Sequence, residues 1–247
     1  MIKKFIIPVL LISAVTLSNC GSGGDDPITV PITAPTITTP AVSGVDGMLV
    51  AINTRTKSSG TDVVVGTAYA AFYKNQKPAT KFEAGNVVIN TRSTQKSDDN
   101  IYFYSPSATE PNGIPFTSQI FWQVSGNSTN GIPAISDNDG SGFANFPTLS
   151  EFLTLSATQD YFLNWISSNG ADSVILTVKG PSAVFKKTFA NSVSAYTIPK
   201  AEINKLGKGS GSVEIINYKL SQKTFGGKNY AFIKQAVAYC SKVNITN

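Results

Sequence analysis

Short runs of β-branched and aromatic residues, each closed by Gly, Pro, Asn, Asp or Ser, recur along most of this chain. That punctuation leaves few windows for a long amphipathic helix, and it predicts an all-β fold. Strands are expected at 48–55, 62–73, 82–92, 101–104 and 118–124. Within the last of these, Ile120, Trp122 and Val124 share one face and Phe121 and Gln123 the other, because side chains alternate along a strand. A stretch rich in Gly, Asn, Ser and Asp follows from Ser125 to about Pro147, and it reads as a domain boundary. Further strands are expected at 161–167, 172–179, 183–189, 194–198, 212–220 and 229–245, spaced regularly with turn signals between them, as in a sandwich. The one convincing helical turn runs from Pro199 to Leu206, with Pro at its start and Gly207 able to end it.

The expected architecture is two β-sandwich domains, residues 44–127 and 148–247, joined by a linker at 128–147. In the second, Leu163-Asn-Trp165-Ile166 reads as a core-Trp strand and Val174-Ile-Leu-Thr-Val178 as its neighbour, with Leu206-Gly-Lys-Gly209 ahead of Val213-Glu-Ile215. Over roughly a hundred residues this resembles an immunoglobulin or fibronectin type III-like domain. The tyrosine of the family's tyrosine corner is not where that fold places it.

The N-terminus carries an address. Met-Ile-Lys-Lys precedes an apolar run from Phe5 to Val15, too short and wrongly flanked for a spanning helix, and residues 1–19 therefore read as a removable signal peptide. Leu17-Ser18-Asn19-Cys20 then resembles the lipobox of bacterial lipoproteins, with Asn19 where the family prefers a small residue. The resemblance implies lipid on Cys20 and attachment to a membrane through it. No Asp directly follows Cys20, whereas Asp25-Asp26 comes soon after it, which resembles the surface-export signal of Bacteroidota-type lipoproteins and implies an outer-membrane, surface-exposed location. Thr and Pro dominate between Pro27 and Pro40, so residues 20–43 are expected to form a flexible, extended stalk of roughly 3 Å per residue.

Cys20 and Cys240 are the only cysteines. With lipid on the first, the second has no intramolecular partner, and its apolar surroundings at 236–240 suit a small buried hydrophobe. Charge is unevenly divided. From Lys179 onward eleven Lys face two Glu, while from Gly21 to Val178 seven basic residues face thirteen acids. The basic portion would attract anionic glycans, lipopolysaccharide or an acidic partner, or its lysines would simply line solvent faces and guard edge strands. No motif for nucleic acid is present.

The chain has no His, which removes the Ser-His-acid triad, the Cys-His pair and imidazole-ligated zinc. A carboxylate-dependent hydrolase needs two acids across a cleft, and no spacing in the sequence pairs them. Asp137-Asn-Asp139-Gly-Ser141-Gly142 resembles the start of a calcium loop, with Asp137, Asp139 and Ser141 as oxygen donors, but the twelfth position holds Thr148 and Glu151 is out of register. A polar interdomain loop is the plainer reading, and no other cofactor is implied. Trp122 and Trp165 would make a sugar platform if exposed, yet each lies on an apolar strand face that favours the core. Loop residues Tyr73, Tyr104 and Phe116 are better placed for contacts, and Asp172-Ser173-Val174 matches a short O-glycosylation pattern on Ser173.

Together these readings predict a non-catalytic, surface-anchored binding or adhesion module, with a glycan as its candidate ligand. The alternative is an accessory structural subunit of a surface protein assembly, and the outlying one a hydrolase.

Overall fold

The structure is a computed structural model that describes residues 37–165 and 170–247. The segment read as a signal peptide, Cys20 and the first part of the expected stalk lie outside the described residues. Among the described residues the regular structure is almost entirely strand, and no described helix is long and apolar enough to cross a membrane.

Strands β1 (Gly47–Ser58) and β2 (Thr61–Lys74) form a long hairpin around Ser59 and Gly60, both at positive φ. The short strands β3 (Lys77–Phe82), β4 (Val87–Ile89), β5 (Arg92–Ser93), β6 (Gln95–Lys96) and β7 (Ile101–Tyr104) follow. Then come β8 (Ile120–Val124) and β9 (Ile135–Asp139). The remaining chain supplies β10 (Phe152–Ser156), β11 (Tyr161–Asn164), β12 (Ser173–Lys179), β13 (Val184–Ala190), β14 (Ala195–Ile198) and α1 (Lys200–Leu206). A second long hairpin ends it, β15 (Gly209–Phe225) and β16 (Lys228–Thr246), turning at Gly226-Gly227.

A ten-stranded sheet runs in the order β13-β12-β15-β16-β1-β2-β7-β6, with β3 added on β2 and β10 added on β16. Strand β16 is parallel to β1 over 230–239 and parallel to β10 over 242–246, so β10 continues along β16 where β1 leaves it. The first and last thirds of the chain are thereby hydrogen-bonded into one sheet. Each half nevertheless has its own core, in agreement with a β-sandwich reading.

Over one end of the sheet, Leu49, Ala70, Phe72 and Tyr230 pack against Ile89, Ile120, Trp122 and Ile135 from a four-stranded sheet, β5-β4-β8-β9. Over the other end, Val174, Leu176, Ile215 and Ala238 meet Leu163, Trp165, Ile198 and Ile203 from the β11-β14 pair and α1. The long strands β15 and β16 serve both cores. Burying large side chains of this kind stabilises by about 1.5–3 kcal/mol each, which is why the apolar alternation fixes which face of each strand points inward.

Three sequence expectations are corrected in detail. The 128–147 segment, read as a linker, carries β9, whose Ile120↔Asp139 to Val124↔Ile135 ladder makes it part of a sandwich layer. The polar pattern of β9 is tolerated because its inward carboxylates are paired, as described below. Strand β12 is not the sheet neighbour of the Trp165 segment; it lies between β13 and β15 and faces Leu163 and Trp165 across the core. The stalk also ends earlier than residue 43. Ile37, Val42 and Val45 pack on the sheet's opposite face against Val50, Ile52 and Ile233, and Gln235 Nε2 donates to Thr38 O at 2.7 Å. That face is apolar and would otherwise be open to water, so the incoming chain is held on it as a strap.

Candidate functional site

Cys20 lies outside the described residues. The other residues singled out by sequence fall into separate places. Ser173 is half-buried at the start of β12, with backbone partners Ala190 and Tyr218 on either side, and the neighbouring Asp172 carboxylate accepts the Leu220 amide at 2.6 Å. Trp122 and Trp165 are both core residues, 2% and 4% exposed, and the Trp165 indole donates to Val193 O at 3.1 Å. Tyr104 and Phe116 border the first core, whereas Tyr73 is buried on the other side of the large sheet. These three aromatics therefore do not form one contact surface. The Tyr104 hydroxyl donates to Glu110, which also receives Arg92 at 2.7 Å.

Asp137, Asp139 and Ser141 are brought to the junction of the two cores, but their cationic partners are lysines. Asp137 and Asp139 are two residues apart on β9 and both point at the large sheet. Lys223 Nζ lies 2.6 Å from Asp137 Oδ1, and Lys234 Nζ lies 2.7 Å from Asp139 Oδ2 while also donating to the Ser141 hydroxyl. Burial alone would raise the Asp139 pKa. The Lys234 ammonium together with the Ser141 amide and hydroxyl outweighs it and holds the carboxyl at about 2. The oxygen donors proposed for calcium thus surround ammonium groups, and among the described residues no three acids, cysteines or histidines converge as a metal set.

The same segment continues as a tie across the sheet. Lys219 Nζ donates to Ser141 O at 3.0 Å, Asn217 Nδ2 to Asn145 O at 2.7 Å, and the Arg55 guanidinium lies over the Phe146 ring at 4.2 Å. Glu151 then receives the Ser59 and Gly60 amides of the β1–β2 turn at 3.1 and 2.9 Å and the Lys242 ammonium at 2.5 Å. Those contacts, the Lys242 hydrogen bond foremost, hold the Glu151 carboxyl below the usual range. The acidic and basic portions of the sequence are, to this extent, partners of one another. Cys240 is buried and free, its thiol directed at Glu151 O at 3.3 Å and its pKa raised by desolvation.

A surface not singled out by sequence is the outer face of β4, β8 and β9. Its cross-strand rows are Val88–Gln123–Ser136 and Phe121–Asn138. Gln123, Ser136 and Asn138 are exposed, and Val88 and Phe121 half-exposed. Two adjoining shallow depressions meet here at Ser125 and Ala134. One, of about 420 Å³, lies among Asn86, Val88, Gln123 and Ser136, and the other, of about 480 Å³, among Asn127, Ser128, Gly131 and Pro133. Gly126, at φ 80°, shapes the rim, since a Cβ there would meet Ala134 N at 2.7 Å. The available signal was an absence: between Glu110 and Asp137 the sequence has no Asp, Glu, Lys or Arg. Compared with known proteins, the chain matches no family model and no curated sequence.

Proposed function

We propose that this chain is a lipid-tethered, non-catalytic binding module displayed at the outer membrane, with residues 1–19 removed and Cys20 acylated. The observation that carries the reading is the layer order. The strap from Ile37 to Val45 lies on one face of the large sheet, and the four-stranded sheet with its hollowed, uncharged outer face lies on the other. A chain arriving from an anchor along the strap would turn that outer face away from its attachment. The acids of β9 and of the segment that follows it support the non-catalytic part, because Asp137, Asp139 and Glu151 are engaged by ammonium groups rather than aimed in pairs across a cleft. Feeding expressing cells an alkyne-bearing fatty acid tests the tether. Label on the wild-type chain but not on Cys20→Ala, with the labelled chain cleaved by protease added to intact cells, is the expected result; unlabelled wild-type chain, or label equal in both, contradicts it.

A second reading, the accessory subunit of a surface assembly, is favoured by one observation. Phe152 and Phe162, on the C-terminal half, are 67% and 65% exposed. Large apolar side chains left this open are common anchors in protein contacts. Cross-linking on intact cells that recovers a protein partner from wild type but not from a Phe152→Ala/Phe162→Ala variant would favour this reading over the first.

A further inference from the structure

We infer that the uncharged outer face of β4, β8 and β9 is a binding site for a neutral glycan. This rests on the binding-module reading and gives it a ligand class and a location. A saccharide offers hydroxyls that both donate and accept, set around patches of C–H. Side-chain amides and hydroxyls match the first, because each presents donor and acceptor together, and a ring face or aliphatic side chain matches the second. This face supplies Asn86, Gln123 and Asn138 as amides and Ser136 as a hydroxyl, with Phe121 and Val88 between them, while Ser125 Oγ already accepts the Asn86 backbone amide at 2.8 Å. Phe121 stands directly across from Asn138, and Val88 across from Gln123, so each apolar group has an amide beside it.

The exposed amides differ from Asn90 nearby. Asn90 donates to Gln119 O and accepts from the Phe121 amide, and so fastens the turn after β4 to the strand beside it. Gln123 and Asn138 instead stand outward from the middle of paired strands, which gives them a fixed backbone without assigning them a fold-stabilising partner. Sites on strands hold their geometry better than sites on loops. The two depressions are open and adjoin beside Gln123, so the surface suits an oligosaccharide lying along it more than a single enclosed sugar.

Charge argues for a neutral ligand over an anionic one. No residue from 111 to 136 carries a charge, and Lys228 reaches only the rim beside Gly131. Lys223, Lys234 and Lys242, three of the lysines that make the C-terminal sequence look basic, are paired with Asp137, Asp139 and Glu151, the last of these pairs at the surface. An anionic polymer would therefore find little to attract it here.

The test passes the full chain, solubilised in detergent, over immobilised mannan, xylan and β-glucan and over a sulfated polysaccharide. The expected result is saturable retention on at least one neutral polymer, changing less than about twofold between roughly 50 and 500 mM NaCl because no ion pair is involved. Gln123→Ala/Asn138→Ala should weaken it by about tenfold or more, as loss of two hydrogen-bonding groups implies, while leaving the melting temperature unchanged. A companion Phe121→Ala variant should also weaken retention. Retention on the sulfated polymer alone and abolished by salt, neutral binding that the double variant leaves intact, or no retention on any polymer would each overturn the inference. Release of reducing ends from a bound polymer would overturn the non-catalytic reading beneath it, and is separately measurable.

Discussion

Lys234 Nζ lies 2.7 Å from Asp139 Oδ2 where the two cores meet, and both side chains are mostly withdrawn from water, 7% and 17% exposed. Removing one partner leaves the other charge desolvated and uncompensated. Asp139→Ala should therefore lower unfolding stability by about 3 kcal/mol or more. Replacing both, as Lys234→Met with Asp139→Leu, should recover most of that loss, because the pair's desolvation penalty disappears with it. Urea unfolding of the three chains measures the difference directly.

The same pair makes stability depend on acid. The Asp139 pKa is about 2 in the folded chain against an ordinary 3.8, so the folded state favours the ionised form. Its contribution is fully present above about pH 5 and is lost as pH falls toward 2, and with solvent screening it amounts to about 1 kcal/mol. Glu151 shifts in the same direction. Glu214 shifts oppositely, since burial raises it, and so its ionisation weakens the fold at neutral pH. The Asp139 share is isolated by comparing wild type with Asp139→Asn in urea from pH 7 to pH 2. The stability gap should close over that acid window, whereas a pH-independent gap would show that the carboxylate's charge is not what matters.

Calcium should leave the chain unaffected. A ligand that binds only the folded state must raise its melting temperature, and Lys223 and Lys234 already hold one oxygen of each carboxylate, Asp137 Oδ1 and Asp139 Oδ2. Melting curves with millimolar calcium and with a chelator are expected to superimpose. A rise with calcium would show that the ammonium groups can be displaced.

The strap is expected to stabilise the fold. A chain beginning at Ser43 lacks Ile37, Pro40 and Val42 and the Gln235–Thr38 hydrogen bond, and leaves Ile52 and Ile233 with less cover. It should be less stable by roughly 2–4 kcal/mol than one beginning at Thr36, judged from the apolar surface re-exposed. Denaturant midpoints for the two lengths provide the measurement, and equal midpoints would make the strap passive.

The strands were legible wherever inward residues are apolar. The reading at 101–104 coincides with β7, and those at 48–55 and 62–73 fall inside β1 and β2. Strand β9 was hidden because Asp137 and Asp139 point inward, and a polar inward face looks like a loop until the lysines that neutralise it are known to lie 86 and 95 residues further along. For the same reason β15 was expected to stop at Leu220. Beyond it Ser221 and Lys223 face the front of the sheet, and Lys223 is tolerated there by Asp137. The parallel pairing of β1 with β16 joins residues about 180 positions apart, which no local pattern can encode. Among the candidate residues, the buried positions of Trp122 and Trp165 followed from strand alternation. The face around Gln123 and Asn138 did not, because exposed amides are equally at home in water and only the sheet brings them together.

The tether at Cys20 underlies the proposed presentation of that face, and substitution of one atom set tests it. Cys20→Ala, expressed in cells and separated into membrane and soluble fractions, is expected to leave the membranes while keeping the wild-type melting temperature. Retention of the variant in the membrane fraction at the wild-type level would contradict the account.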